Sequence, residues 1–268
     1  MPADYVHGYS EREAQRLHDQ AASVRELLHG DTRYHLGELV LDPGCGVGAQ
    51  TVTLAAGSPE ASFISIDIAC ESAREARALA GSRGLTNVAF ATGDIYRLPF
   101  RDEQFEHIFL CYVLEHVPDP HGALTSLRRV VREGGTITVI EGDHGSCYFH
   151  PNTPAARAAW QCLIEVQAAV GGDSLIGRRL YPLLAQAGFR EVTVSPRMVY
   201  ADASTPALRH SFVATTITPM VEGVREPALA MGMIDEASWE QGIRELYAIP
   251  HGDEGTFCYT FFKAVARR

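Results

Sequence analysis

Leu39-Val-Leu-Asp-Pro-Gly-Cys-Gly-Val-Gly48 joins a short apolar strand, read over Glu38–Asp42, to a glycine turn, and the residues that follow, to about Ala56, read as a helix. Glycine at Gly44, Gly46 and Gly48 lets a ligand approach the backbone where a side chain would stand in its way. The amides at the start of the helix form an anion-binding end. Working outward, Ser62–Ile68 reads as the next strand and ends with Asp67. A carboxylate at that place can accept both hydroxyls of a ribose. Strand, glycine turn and helix in this order point to a nucleotide-like ligand.

The alternation continues along the chain. A helix is expected near Glu71–Ser82, strands over Asn87–Thr92 and Phe105–Tyr112, a helix over Pro120–Arg132 and a fifth strand over Gly135–Glu141. Strands separated by helices pair in parallel through right-handed crossovers. Before the glycine turn, residues 10–29 read as a helix, with Ser10 and Glu13 as its capping box. After Glu141 the rhythm changes. Helices are expected over Thr153–Val170 and Ser174–Gly188, with Gly188 as the terminating residue, and then a strand over Arg190–Tyr200. Residues 202–250 read as largely helical and interrupted by prolines, and Gly255–Ala266 as a closing strand. The stretches 143–172 and 202–250 fall outside the strand–helix rhythm and are candidates for a helical substrate lid.

With 268 residues, 46% of them hydrophobic, the chain is long enough for one large α/β domain. Its formal charge of −10 argues against a nucleic-acid phosphate backbone as the main partner. Basic residues are scattered, and the single lysine is Lys263. None of the six cysteines forms a Cys-x-x-Cys pair, so no metal site is expected and a reducing, cytoplasmic setting is. The N-terminal run lacks the apolar stretch of a signal peptide, and no window approaches ~18 consecutive apolar residues, so no membrane partner is expected.

Gly44, Gly46 and Ala49 also satisfy the dinucleotide pattern G-x-G-x-x-A, so a nicotinamide oxidoreductase is a competing reading. Asp42 weighs against it. A carboxylate two residues before Gly44 repels a pyrophosphate and attracts a cationic group. Asp94, in Thr92-Gly-Asp-Ile-Tyr-Arg-Leu-Pro-Phe100, is a third acid, placed to accept from an exocyclic amine.

The D-x-G-x-G-x-G loop, Ser65-Ile-Asp-Ile68, Gly93-Asp-Ile-Tyr-Arg-Leu-Pro-Phe100, Tyr112-Val-Leu-Glu-His-Val117 and Leu127-Arg-Arg-Val-Val-Arg-Glu-Gly-Gly135 together resemble the class I S-adenosylmethionine (SAM) dependent methyltransferases of the type 11-like group. The resemblance spans about residues 38–200 and the final strand. It implies a Rossmann-like α/β fold: a seven-stranded, mostly parallel sheet in the order 3-2-1-4-5-7-6, flanked by helices, with an N-terminal helical cap (1–30) and the helical lid, all in one domain. It implies SAM as cofactor, leaving as S-adenosylhomocysteine. Gly44, Gly46 and Gly48 would line its methionyl part, with Asp42 toward the ammonium. Asp67 would hold the ribose, with Ile68 against the adenine. Gly93, Asp94 and Ile95 would take the adenine edge. Cys111 and Leu114 would border the sulfonium, and His116 would support the methionyl pocket.

The segment leaving strand five, Ile140-Glu-Gly-Asp-His-Gly-Ser146, is dense in groups that move protons. His144 is the candidate general base, with Asp143 or Glu141 as its orienting carboxylate. A bland reading stands beside it, in which Asp143 caps a turn and His144 shapes a pocket. Trp160, Tyr148, Phe149, Tyr200 and Met220 are candidates to wall an aromatic substrate pocket.

The leading run Tyr5-Val-His-Gly-Tyr-Ser-Glu-Arg-Glu-Ala-Gln-Arg-Leu17, taken with Glu141-Gly-Asp-His-Gly-Ser146, resembles actinobacterial indole C3-methyltransferases of alkaloid and tryptophan cyclodipeptide biosynthesis. That resemblance implies a leading segment folded over the cofactor, with Tyr9 and Arg16 as cofactor contacts. Tyr9 and His144 would form a proton-accepting chain. The partner is then a small aromatic molecule, and a homodimer is left open. The alternatives are methylation at O, N or C of another aromatic metabolite, and a non-catalytic SAM-binding protein.

Overall fold

The structure is a computed structural model that describes residues 24–268. The expected N-terminal cap, with Tyr5, Tyr9 and Arg16, lies outside the described residues, except that 24–29 are helical.

Seven strands form one sheet in the order β3-β2-β1-β4-β5-β7-β6. They are β1 (Leu39–Pro43), β2 (Ser62–Asp67), β3 (Val88–Thr92), β4 (Phe105–Cys111), β5 (Val131–His150), β6 (Arg190–Ala201) and β7 (Thr256–Arg267). β1 lies parallel to β2, with Leu39 opposite Ser62, and to β4, with Val40 opposite His107. β2–β3 and β4–β5 are parallel as well. At the other edge the direction reverses. Gly134 N–H donates to Arg268 O (3.2 Å) and Arg268 N–H to Gly135 O (3.0 Å), so the start of β5 lies beside the end of β7. The expected strand order and fold class are thus observed.

The chain divides into two compact units. The first holds Arg25–Glu141, Ile176–Pro196 and Phe262–Arg268. Helices α1 (Ala49–Gly57), α2 (Cys70–Ser82), α3 (Pro120–Val130) and α5 (Leu180–Gln186) belong to it. Helix α3 begins where Asp119 accepts from Gly122 N–H and proline occupies the first turn. Its Leu124 and Leu127 meet Leu180 and Leu184 of α5 and Ile108 and Leu110 of β4 in the main core. A smaller core joins Val52, Ala76, Ala80 and Phe90. Gly188 ends α5 in the left-handed region, φ 86°, as expected. Lys263 is buried, its ammonium donating to Leu28 O, Asp31 Oδ1 and Thr32 Oγ1 at 2.9, 2.5 and 2.6 Å. Those partners offset the cost of burying its charge.

The second unit holds Gly142–Leu175 and Arg197–Phe261. It contains α4 (Pro154–Ala169), a helical stretch α6 over 206–222, α7 (Arg225–Ala230) and α8 (Glu236–Ala248). Thr153 caps α4 by accepting from Ala156 N–H at 3.1 Å, and Asp235 caps α8 by accepting from Ser238 N–H at 2.9 Å. Gly242 of α8 sits where a Cβ would meet Ala159 Cβ at 2.8 Å, so its missing side chain sets the close packing of α4 on α8. The middle of α6, Arg209–Ile217, is wound as π-helix. Phe212 from that section packs edge-on against Phe257, Tyr259 and Phe261.

Strand β5 differs from the sequence reading at both ends, starting at Val131 where Gly135 is expected, and the expected helix over Ser174–Gly188 is a 3-10 turn, Ile176–Arg179, followed by α5. Strand β5 continues past Glu141 to His150, so the first part of the expected helical lid is strand. Helix begins only at Pro154.

Candidate functional site

In the first unit, the connections after β1, β2, β3 and β4 leave the carboxyl ends of the strands, where parallel sheets bind ligands. The glycine turn after β1 has Gly44, Gly46 and Gly48 at φ 77°, 52° and 81°, a region open to glycine and costly for other residues. Their surroundings differ. A Cβ on Gly44 would meet Val113 Cγ2 at 2.6 Å, and one on Gly48 would meet Ala76 Cβ at 2.8 Å. These two glycines therefore admit protein neighbours. Of the three, Gly46 alone has nothing within 4 Å of the Cβ position, and that is where a ligand gains the room.

Asp67 ties the end of β2 to this turn. Its Oδ2 accepts from Gly46 N–H and its Oδ1 from Ala69 N–H, each at 2.8 Å. Burial raises its pKa above the ordinary carboxylate value against the pull of these amides. Ile68, the next residue, is a large apolar side chain left 54% exposed. Asp94 accepts from Tyr96 N–H at 2.9 Å and is half-buried, as are Gly93 and Ile95. The Tyr96 hydroxyl donates to Asp119 O (3.1 Å) and accepts from Asp119 N–H (3.0 Å), which pins this connection to the start of α3.

Asp42 is not the open carboxylate expected. It is 3% exposed, and its Oδ2 accepts from Thr51 Oγ1 (2.6 Å) and Ser65 Oγ (3.1 Å). Burial pushes its pKa up to about 6, against the lowering effect of those two hydroxyls. It braces β1 to α1 and β2 from inside. Leu114 is buried as well. Its side chain is fully buried in the main core, so the part it offers near the β4 exit is backbone. Cys111 is buried too, and burial holds its thiol well above the ordinary value. His116 is half-buried with Nε2 3.4 Å from Glu115 Oε1.

Three features at this exit escaped the sequence reading. Tyr112 takes φ 58°, a conformation that non-glycine residues adopt where surrounding structure imposes it. Its N–H donates to Ile140 O at 2.9 Å. Glu141, at the end of this unit's part of β5, accepts from Val113 N–H (3.0 Å) and Leu114 N–H (2.7 Å) through Oε1. Among the described residues its buried Oε2 finds no hydrogen-bond partner. Burial first, and Glu115 second, hold the Glu141 proton well above the carboxylate range. Glu141 thus fixes Val113, and Val113 is the neighbour that Gly44 makes room for.

In the second unit, His144 is held on several sides. Its Nδ1 shares a hydrogen bond of 2.6 Å with the Tyr259 hydroxyl. Its carbonyl accepts from Trp160 Nε1 (2.9 Å), and its N–H donates to Ser174 O (2.9 Å). The Trp160 and Tyr259 rings lie 5.8 and 5.7 Å from the imidazole, centroid to centroid. The Nδ1 partner is thus a tyrosine, in place of the expected Asp143 or Glu141. Side chains alternate along a strand, so residues 141 and 143 point away from the face that carries 144. Asp143 spends Oδ1 on Gly145 N–H at 3.0 Å, and its carbonyl accepts from Ser146 Oγ at 2.8 Å, the turn-capping arrangement. Trp160, Phe149 and Met220 are buried, whereas Tyr148 and Tyr200 are exposed.

Among the described residues no cluster of His, Cys, Asp or Glu has the grouping of a metal site, and no helix is long and apolar enough to cross a membrane.

Residues 35–188 match the family model for a methyltransferase domain. An uncharacterized 37.1 kDa protein in transposon TN4556 of Streptomyces fradiae is 35% identical over 69% of this chain and 53% of its own length. The O-methyltransferase cnsE of Penicillium expansum is 30% identical over 73% of this chain and 68% of its own. The chain spans about half the length of the first curated relatives it matches. Among solved structures, Haemonchus contortus phosphoethanolamine N-methyltransferase 2 in complex with S-adenosyl-L-methionine superposes with a TM-score of 0.56 at 14% identity, over 93% of this chain and 52% of that one. With the sheet order and the glycine turn already in place, these matches show that the chain belongs to the methyltransferase-domain family.

Proposed function

We propose that this protein is a SAM-dependent methyltransferase acting on a small aromatic molecule, and that the acceptor is C3 of an indole in a tryptophan-derived cyclodipeptide or alkaloid precursor. The observation that carries the donor half is the Asp67–Gly46 link beside an exposed Ile68. A carboxylate fixed by backbone amides, an apolar side chain left open next to it and a glycine with free space above it fit the ribose, the adenine face and the methionyl part of SAM in turn. Asp94 would accept from the adenine edge. When bound, SAM supplies a methyl carbon already activated by a positive sulfur.

The chain's own contribution is then alignment and proton management. Alignment alone supplies much of the rate in a displacement of this kind. When indole C3 takes the methyl group, the ring gains one positive charge. Closure to a pyrroloindoline, by attack of a neighbouring amide nitrogen on C2, releases that nitrogen's proton. One proton leaves overall, and His144, with ring and backbone both held, is the group to receive it. Tyr9 would extend that path, and Arg16 would contact the cofactor. The helical parts of 143–172 and 202–250 would act as the substrate lid. The cnsE likeness favours a second reading, methylation at an oxygen of the acceptor, in which His144 would take the hydroxyl proton instead.

The test is incubation with SAM and a panel of tryptophan-containing cyclodipeptides, tryptamines and phenols, followed by mass spectrometry and NMR. A product carrying one added methyl on a quaternary indole C3 is the expected result. Transfer to phenols alone overturns the indole acceptor. His144→Ala is expected to lower turnover ~10²-fold or more with SAM binding retained, and full turnover would remove His144 as base.

A further inference from the structure

Residues 142 and 144 lie on the same face of β5, since side chains alternate along a strand. His144 fills its place on that face with an imidazole, and Gly142 leaves its place empty. The space is used: a Cβ built on Gly142 would collide with the Tyr259 hydroxyl oxygen, while Tyr259 Cζ and Cε1 would sit at 3.4 and 3.7 Å, ordinary contact. The hydroxyl that crosses over Gly142 is the one bonded to His144 Nδ1 at 2.6 Å. Tyr259 is buried and its ring is clamped at 4.8 Å by Phe261 and at 6.0 Å by Phe212.

We propose that Tyr259 is the positioning residue for His144, and that Gly142 is glycine so that the Tyr259 hydroxyl can reach Nδ1. The inference rests on His144 being the proton acceptor. A bond at Nδ1 with the imidazole N–H as donor fixes the tautomer that leaves the basic lone pair on Nε2. It also holds the ring against rotation about its Cβ–Cγ bond. The same ordering job is done by a carboxylate in many catalytic histidine pairs. Here a neutral phenol on the neighbouring strand does it, and the strand pairing brings the two together across 115 residues of sequence.

Three variants of the full chain test this: Tyr259→Phe, Gly142→Ala and the double variant. Tyr259→Phe is expected to lower kcat ~10-fold while KM for SAM stays within ~2-fold, because only the orientation of the proton acceptor is lost. Gly142→Ala should reproduce that loss by displacing the hydroxyl. In the Tyr259→Phe background, where the colliding oxygen is gone, Gly142→Ala should cost nothing further, so the two effects fail to add. Additive losses, or a Tyr259→Phe enzyme with unchanged kcat, would overturn the proposal. His144→Ala, run alongside, separates the two layers. If it keeps full turnover, the base assignment fails. If it loses turnover while Tyr259→Phe and Gly142→Ala do not, Tyr259 alone is acquitted of the role.

Discussion

Asp42 shows how a conspicuous acid in a motif can be structural. It opens the D-x-G-x-G-x-G run, yet its carboxylate is buried and bonded to Thr51 and Ser65. Its pKa rises from 3.8 to about 6, with burial as the main cause. A group whose pKa is raised in the fold supports stability below its unfolded value and loses that support as pH rises through the folded one. For Asp42 the window runs from about pH 4 to about pH 6, and two units correspond to ~3 kcal/mol. Asp42→Asn keeps an acceptor for both hydroxyls and carries no charge. The variant should match the parent in stability near pH 4 and exceed it by ~2–3 kcal/mol above about pH 7. Urea denaturation of both proteins at the two pH values checks this, and a difference independent of pH would contradict it.

At the scale of elements, the middle of β5 at Glu141 and the exit of β4 act as one piece. Glu141 holds the amides of Val113 and Leu114, and Val113 packs where Gly44 has no Cβ. Glu141→Leu would leave two amides without acceptors, each worth about 1–3 kcal/mol. That variant should lose stability on this scale and bind SAM more weakly, whereas Glu141→Gln, neutral and still an acceptor, should stay close to the parent. Thermal melts and calorimetric SAM titrations of the two variants read this out; equal losses in both would show that the carboxyl group itself, rather than its acceptor oxygen, is needed. None of this coupling is local. The glycine turn and Asp67 were legible because a strand, a turn and a helix announce themselves within a short window. The grip of Glu141 on residues 113 and 114, and of Tyr259 on His144, joins positions far apart in sequence, which periodicity does not reveal. Strand β5 was read too short for a related reason. Gly142-Asp-His-Gly-Ser146 has the composition of a turn, and it is strand because the sheet pairs it.

At the scale of the whole molecule, the two units carry different groups of candidate residues. The unit built on Arg25–Glu141 carries the residues that fit a SAM site, and the unit that includes Gly142–Leu175 and Arg197–Phe261 carries His144, Trp160 and Tyr259. Sheet order, glycine turn and family match agree on the first, and the fold class was readable there because every strand but β5 began and ended within a residue or two of the expected place. The nicotinamide alternative makes an opposing demand on the same turn, since a pyrophosphate would have to sit over Gly44–Gly48. The most direct measurement is therefore calorimetric titration of the purified chain and of Asp67→Ala with SAM and with NAD. The account predicts that SAM binds the parent, that NAD does not, and that Asp67→Ala weakens SAM by ~10-fold or more through loss of the ribose acceptor and of the Gly46 tie. Binding of NAD in place of SAM, or SAM affinity unchanged by Asp67→Ala, would contradict it.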